Sequence, residues 1–227
     1  MSGVEPRTAL VVGGFGGLGT AIAAALSGRG DQVLRASRHP RPDDGAVVLD
    51  EARLADLPEL DVVCWAQGAN VNDAVTGFTD EDLAALWEAN VASVARQLRG
   101  LVVAERLRDG AALVVVSSIW QRVARPGKFS YTVTKAALGG LVRAAAMDLA
   151  PRGIRVNAVL PGVVDTAMTR AVLSPEQIAT VEASTGHGRM VEASDVASAV
   201  LSLSEPTGGV TGQSVVVDLG FSDGHIF

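Results

Sequence analysis

What this 227-residue chain has little of narrows its function first. It holds one cysteine, Cys64, so no internal disulfide can form; within the apolar run Val62-Val-Cys-Trp65 that thiol reads as a small core residue. Three histidines, His39, His187 and His225, are scattered without metal-ligand spacing, so no catalytic metal is expected. No apolar stretch stays free of charge long enough to span a bilayer, and the N-terminus lacks a signal-peptide pattern. The expected location is the cytoplasm, away from membranes. Positive charge is also scarce. Lys and Arg number 19 against 25 Asp and Glu, a formal charge of −6 that argues against nucleic acid as the partner. Repeats and low-complexity tracts are missing too, and a 48% hydrophobic composition predicts one full core, with residues 1–227 as a single domain.

Apolar strand-like runs recur at 8–12, 31–36, 46–49, 61–65, 111–117, 154–159 and 214–217, with helical segments at 17–28, 79–107, 130–149 and 193–203. That alternation predicts an α/β fold: a Rossmann-type, doubly wound parallel sheet of about seven strands with helices on both faces. Val91, Val94, Leu98, Leu101, Val102 and Leu107 fall at helical spacing and predict a buried helix face. Residues 168–189 are polar, carry Gly186 and Gly188, and read as a loop. Ligands of such sheets lie beyond the carboxyl ends of the strands, near the switch in strand order.

The first strand, Thr8 to Val12, runs directly into Gly13-Gly14-Phe15-Gly16-Gly17-Leu18-Gly19 and then an alanine-rich helix. Strand, glycine turn and helix place a pyrophosphate on a helix N-terminus, with no side chains to hold it off. Gly14, Gly16 and Gly19 spell G-x-G-x-x-G, while Gly13, Gly17 and Gly19 spell G-x-x-x-G-x-G. Both registers predict a dinucleotide site.

In mid-chain, Tyr131 and Lys135 lie four residues apart, with Ser118 thirteen residues upstream of the tyrosine. On a helix, positions i and i+4 share a face, so phenol and ammonium address one space. A nearby cation favours the phenolate and lowers a tyrosine pKa that is normally about 10. The expected result is an acid–base group usable near neutral pH.

Together these motifs resemble the short-chain dehydrogenase/reductase family, classical type, and within it the 3-oxoacyl-(acyl-carrier-protein)-reductase-like members. The resemblance runs nearly end to end. Asn90 in Glu-Ala-Asn-Val-Ala-Ser, Val115-Val-Ser-Ser118, Arg155-Val-Asn-Ala-Val-Leu-Pro-Gly162 and Thr211-Gly-Gln-Ser-Val-Val-Val-Asp218 match the family's helix asparagine and later strands. The likeness implies NAD(P)-dependent oxidoreduction of a carbonyl/alcohol pair on a small molecule. It implies that Tyr131 exchanges a proton with the substrate oxygen and that Ser118 hydrogen-bonds that oxygen. Lys135 would lower the tyrosine pKa and bind the nicotinamide ribose, and Asn90 would hold a water leading to Lys135. Ser117 is the rival of Ser118, which the thirteen-residue offset favours. Pro161, Gly162, Val164 and Thr166 would meet the nicotinamide carboxamide. Residues 90–107 and 130–149 would pair subunits in a homo-oligomer, a tetramer.

Ser37, followed by Arg38, stands where an NAD enzyme of this architecture carries an acidic residue. A hydroxyl and a guanidinium suit a 2′-phosphate that a carboxylate would repel, so NADP(H) is expected over NAD(H). His39 and Arg41 add positive charge, and Asp50 resembles the family aspartate that accepts the adenine amino group. Two departures from the family pattern occur together: Val12 replaces a threonine, and Trp65-Ala66-Gln67-Gly68 replaces Asn-Asn-Ala-Gly. Losing both partners of a hydrogen bond can be nearly neutral, so the pair reads as coordinated repacking, with Ala66, Gln67 and Gly68 still beside the adenosine ribose. Trp120, Gln121, Arg122, Val123, Phe129 and Met168 are expected to border the substrate, with Arg122 or Arg125 available to an acidic one. The expected activity is NADPH-dependent carbonyl reduction. Its alternatives are an NAD-linked alcohol dehydrogenase and a non-catalytic cofactor-sensing protein on the same fold.

Overall fold

The computed structural model describes residues 6–37, 45, 47, 53–206 and 208–223, apart from the Met168 side chain. Six strands form one parallel sheet: β1 (Thr8–Val12), β2 (Gln32–Ala36), β3 (Leu60–Trp65), β4 (Leu107–Val116), β5 (Arg155–Pro161) and β6 (Ser214–Val217). Around them run helices α1 (Gly17–Gly28), α2 (Asp80–Trp87), α3 (Ser93–Val103), α4 (Phe129–Leu149), α5 (Ala167–Val172), α6 (Pro175–Ala183) and α7 (Ala193–Leu203). The central strands are apolar throughout because both sheet faces are covered. Alternate residues feed two cores. Leu10, Val63 and Leu113 enter one, closed by α3 and α4; Val11, Cys64 and Val114 enter the other, closed by α1 and α7. Cys64 is fully buried and free, a core residue as expected.

The strand order is β2-β1-β3-β4-β5-β6. It reverses at β1, so the crevice of this doubly wound sheet opens beyond the carboxyl ends of β1 and β3.

Of the run at 46–49 the structure describes Val47, which bridges Ala36 in parallel, and the rest lies outside the described residues. Two expectations change. Segment 79–107 is not one helix: a π-helical turn, Glu88–Ala92, joins α2 to α3, and α3 stops at Val103. Glu105, at φ +58°, turns the chain, so Leu107 opens β4 instead of continuing the helical stripe. Finally, 168–189 is not a plain loop. It holds most of α5 and all of α6, the latter begun by a capping box between Ser174 and Gln177 with Pro175 in the first turn. Arg38, His39, Arg41 and Asp50 lie outside the described residues.

Candidate active site

The glycine turn is shaped by close approach. Gly13 has φ +77°, and a Cβ on it would stand 2.8 Å from the Gln67 amide nitrogen. A Cβ on Gly19 would come within 2.1 Å of the Gly13 carbonyl oxygen, and one on Gly14 within 2.9 Å of the Val11 oxygen. Gly16 caps α1 without a side-chain hydrogen bond, and no acidic residue follows in the first turn. The N–H groups and positive dipole end of α1 are therefore left to an anion, and this backbone fits a dinucleotide pyrophosphate. Leu18 packs on the second core, while Phe15 lies 4.0 Å beneath the Arg35 guanidinium, which donates to the Gly14 carbonyl at 2.8 Å. A Cβ on Gly17 would stand 3.5 Å from Thr166, so the segment after β5 reaches across the turn.

Beyond β3, the Ala66 N–H donates to the Val12 carbonyl, and the Gln67 side-chain amide donates to Ser93 Oγ at 2.8 Å. A Cβ on Gly68 would stand 3.2 Å from Asn90 Oδ1 and 3.5 Å from Lys135 Nζ. A bare backbone at Gly68 lets those two side chains converge.

Asn90 sits on the π-helical turn and is fully buried. Its Oδ1 accepts from the Ala69 N–H at 2.7 Å, and its Nδ2 donates to the Ala69 carbonyl at 3.0 Å and to Thr134 Oγ1 at 3.1 Å. The wide turn thus fastens the segment after β3 to α4. Near the start of α4, Tyr131 and Lys135 share a face, with Lys135 Nζ 5.4 Å from the ring centre. Ser118, just past β4, is buried; its Oγ accepts from the Trp120 N–H at 3.4 Å, and its hydroxyl lies near enough to the Tyr131 phenol to favour the ionised form. The buried Ser117 Oγ has no hydrogen-bond partner. This geometry separates the two serines.

The expected lowering of the tyrosine pKa does not occur. Burial pushes the Tyr131 phenol up to about 12, and the Ser118 hydroxyl pulls the other way only in part. Burial also draws the Lys135 ammonium down to about 8. Desolvation disfavours charge on both groups.

Pro161 ends β5, and the Gly162 N–H donates to the Val217 carbonyl at 2.9 Å. Val164 bridges Val191, and the Thr166 hydroxyl caps α5 by accepting from the Thr169 N–H at 3.2 Å. Ser37 directly follows β2. Two expected pocket residues turn elsewhere: Gln121 Nε2 donates to Ser214 Oγ and the Arg122 guanidinium to the Ser214 carbonyl, both at 2.8 Å. Trp120 instead stacks with Arg125 at 5.7 Å, and Phe129 packs on Phe78 at 5.1 Å. Among the described residues no His, Cys, Asp and Glu side chains cluster to hold a metal, and no helix is long and apolar enough to cross a membrane. One residue near the ring carries no expectation from the sequence motifs: Lys128, whose Nζ lies 5.2 Å from the Tyr131 ring centre. Its i, i+3 spacing to the tyrosine is the signal that marks it.

Residues 43–222 match the family described as enoyl-(acyl carrier protein) reductase. The chain is 29% identical to 3-oxoacyl-(acyl-carrier-protein) reductase FabG of Escherichia coli K12, over 95% of this chain and 97% of that one. It is 34% identical to cyclopentanol dehydrogenase of Comamonas, over 74% and 68%. A crystal structure of a short-chain dehydrogenase/reductase family oxidoreductase from Burkholderia thailandensis superposes with a TM-score of 0.82 at 27% identity, covering 97% and 94%. The chain belongs to the short-chain dehydrogenase/reductase family, and is an oxidoreductase acting on CH–OH/C=O groups.

Proposed function

We propose that this chain is a cytoplasmic, NADPH-dependent reductase of a ketone/secondary-alcohol pair on a small molecule, with residues 1–227 acting as one domain. One observation carries the reading: the half-buried Tyr131 has the Lys135 ammonium 5.4 Å from its ring centre and the buried Ser118 hydroxyl toward its phenol, three groups that can hold a carbonyl oxygen and move a proton. A protonated phenol is the form that carbonyl reduction uses.

When bound, the cofactor supplies the hydride, and the chain holds the carbonyl and manages a proton. Tyr131 gives its phenolic proton to the carbonyl oxygen as that oxygen gains charge. Ser118 donates a hydrogen bond to the same oxygen. Lys135, still largely protonated at pH 7 with a pKa of about 8, stabilises the tyrosinate left behind and binds the nicotinamide ribose. Asn90 orients the water through which Lys135 restores the phenolic proton. The Gly13–Gly19 turn would hold the pyrophosphate, and Ser37 and Arg38 would be the residues for the 2′-phosphate. Asp50 would serve the adenine, residues 66–68 the adenosine ribose, and Pro161, Gly162, Val164 and Thr166 the carboxamide.

Similarity to cyclopentanol dehydrogenase favours a second reading, NAD-linked oxidation of a cyclic secondary alcohol.

We also propose a homo-oligomer, a tetramer paired through α3 and α4, on which Val103, Val133 and Met147 are exposed. A monomer mass by light scattering at micromolar concentration would contradict it. The catalytic reading is tested by offering a panel of ketones with NADPH. Consumption of NADPH with at least one is expected, and inertness toward all ketones and alcohols with either cofactor would overturn it.

A further inference from the structure

The chain contains two lysines, Lys128 and Lys135, and one tyrosine, Tyr131; the other seventeen of its nineteen Lys and Arg residues are arginines. Both lysines are buried, 6% and 3% exposed, with their Nζ atoms 5.2 Å and 5.4 Å from the centre of that one tyrosine ring. Lys135 has a part in the proton transfer described above. Lys128 has none.

Lys128 does little for the fold. It occupies the N-cap of α4, where the helix dipole repels positive charge, and makes no side-chain cap there. The capping falls to Asp73 from a distant loop: its Oδ1 accepts from the Ser130 N–H at 2.9 Å and its carbonyl from the Phe129 N–H at 3.2 Å. Lys128 Nζ donates to Asn70 Oδ1 at 2.7 Å, a neutral acceptor. Arg125 repels the ammonium, Asp73 attracts it, and burial dominates both, drawing it down to about 8. A buried cation that donates to a neutral amide, with Arg125 opposing Asp73 and no ion pair to either, at the unfavourable end of a helix, is an incompletely compensated charge. The arrangement is complete when an anion enters. An ammonium is a compact charge that can stand beside the ring where a guanidinium's planar fork is bulkier, which accounts for a lysine in a chain that otherwise uses arginine.

Resting on the carbonyl-reductase reading, we propose that Lys128 binds a carboxylate of the substrate, so that the substrate is a short oxo acid with its charged group a few bonds from the reacting carbon. Tyr131 and Ser118 hold the carbonyl end. Lys128, oriented by Asn70 and backed by Arg125, holds the acid end.

The test compares short 2-, 3- and 4-oxo acids with their methyl esters. In the wild type, kcat/KM for the best acid is expected to exceed that for its ester roughly ten- to a hundredfold, the worth of one charge-assisted hydrogen bond. Lys128→Met should collapse that ratio toward one, and Lys128→Arg should restore part of it. Lys128→Met should also melt no lower than wild type, because a poorly paired buried charge is removed. A binding measurement stands apart from turnover. In protein labelled with 13C-lysine, the two side chains give separable signals, and a short oxo acid added with NADP+ should raise the Lys128 pKa while its ester does not. Esters turned over as well as acids, or a lowered melting temperature with an unchanged ratio, would overturn the proposal. Should no carbonyl compound be reduced at all, the catalytic reading fails by itself, and an unmoved Lys128 signal would then sink the carboxylate site separately.

Discussion

Trp65, at the end of β3, stands in register with Val12 at the end of β1, and the two share one buried apolar core. The indole N–H is satisfied by Gln97 Oε1 at 2.9 Å. Two polar residues of the family pattern are thus replaced together, and packing takes the place of their mutual hydrogen bond. Restoring one of them alone should be costly. Val12→Thr places a hydroxyl against apolar neighbours and is expected to destabilise by about 1–3 kcal/mol; Trp65→Ala opens a cavity worth about 3–5 kcal/mol. Urea denaturation measures both, and a Val12→Thr variant as stable as wild type would contradict the repacking.

The two serines after β4 should behave differently. Ser118→Ala removes a donor to the developing oxyanion, and kcat is expected to fall about a hundred- to a thousandfold. Ser117→Ala removes a hydroxyl that is buried without a partner, so turnover should stay within a few fold and stability should not fall. The opposite order in steady-state kinetics would move the oxyanion contact to Ser117.

Cofactor choice rests on Ser37 and Arg38. Changing Ser37→Asp with Arg38→Ile sets a carboxylate against the 2′-phosphate and removes its guanidinium partner. NADPH kcat/KM should drop at least ten- to a hundredfold while NADH gains a partner for its ribose hydroxyls. A wild type that already prefers NADH would sink the assignment.

Stability should depend on pH in a particular way. Lys128 and Lys135 release their protons near pH 8 when folded, against 10.5 ordinarily. In that window the unfolded chain binds more protons, so stability rises with pH. Cys64 opposes this from pH 9.0 upward, its thiol being pushed up by burial to about 12, and Tyr131 joins it above pH 10.0. The urea midpoint should therefore climb between about pH 8 and 10, more gently above 9, and then fall. Cys64→Ala should extend the climb and Lys135→Met should weaken it. A midpoint falling steadily from about pH 7.5 would contradict the lysine shifts.

Much of this site is legible in spacing alone. The glycine turn, the strand runs around it and the positions of Ser118, Tyr131 and Lys135 are local patterns, and the fold keeps them. Other features depend on partners far away in the chain. The π-helical turn is held by Asn90 reaching Ala69 and Thr134, and the cap of α4 comes from Asp73. Neither leaves a local mark. Spacing also gives the sign of a neighbouring charge but not the depth of burial, so it predicts a lowered Tyr131 pKa where desolvation raises it. Helix α6 is the reverse case: Ser174-Pro175-Glu176-Gln177 carries the start signal, and the polar composition around it masks the helix.

The measurement that bears most directly on the account is Tyr131→Phe, assayed for NADPH binding and for ketone reduction. Only the proton donor is removed, so NADPH affinity should stay within a few fold while turnover is nearly abolished. A phenylalanine variant that reduces ketones at a substantial fraction of the wild-type rate would show that Tyr131 is not the acid.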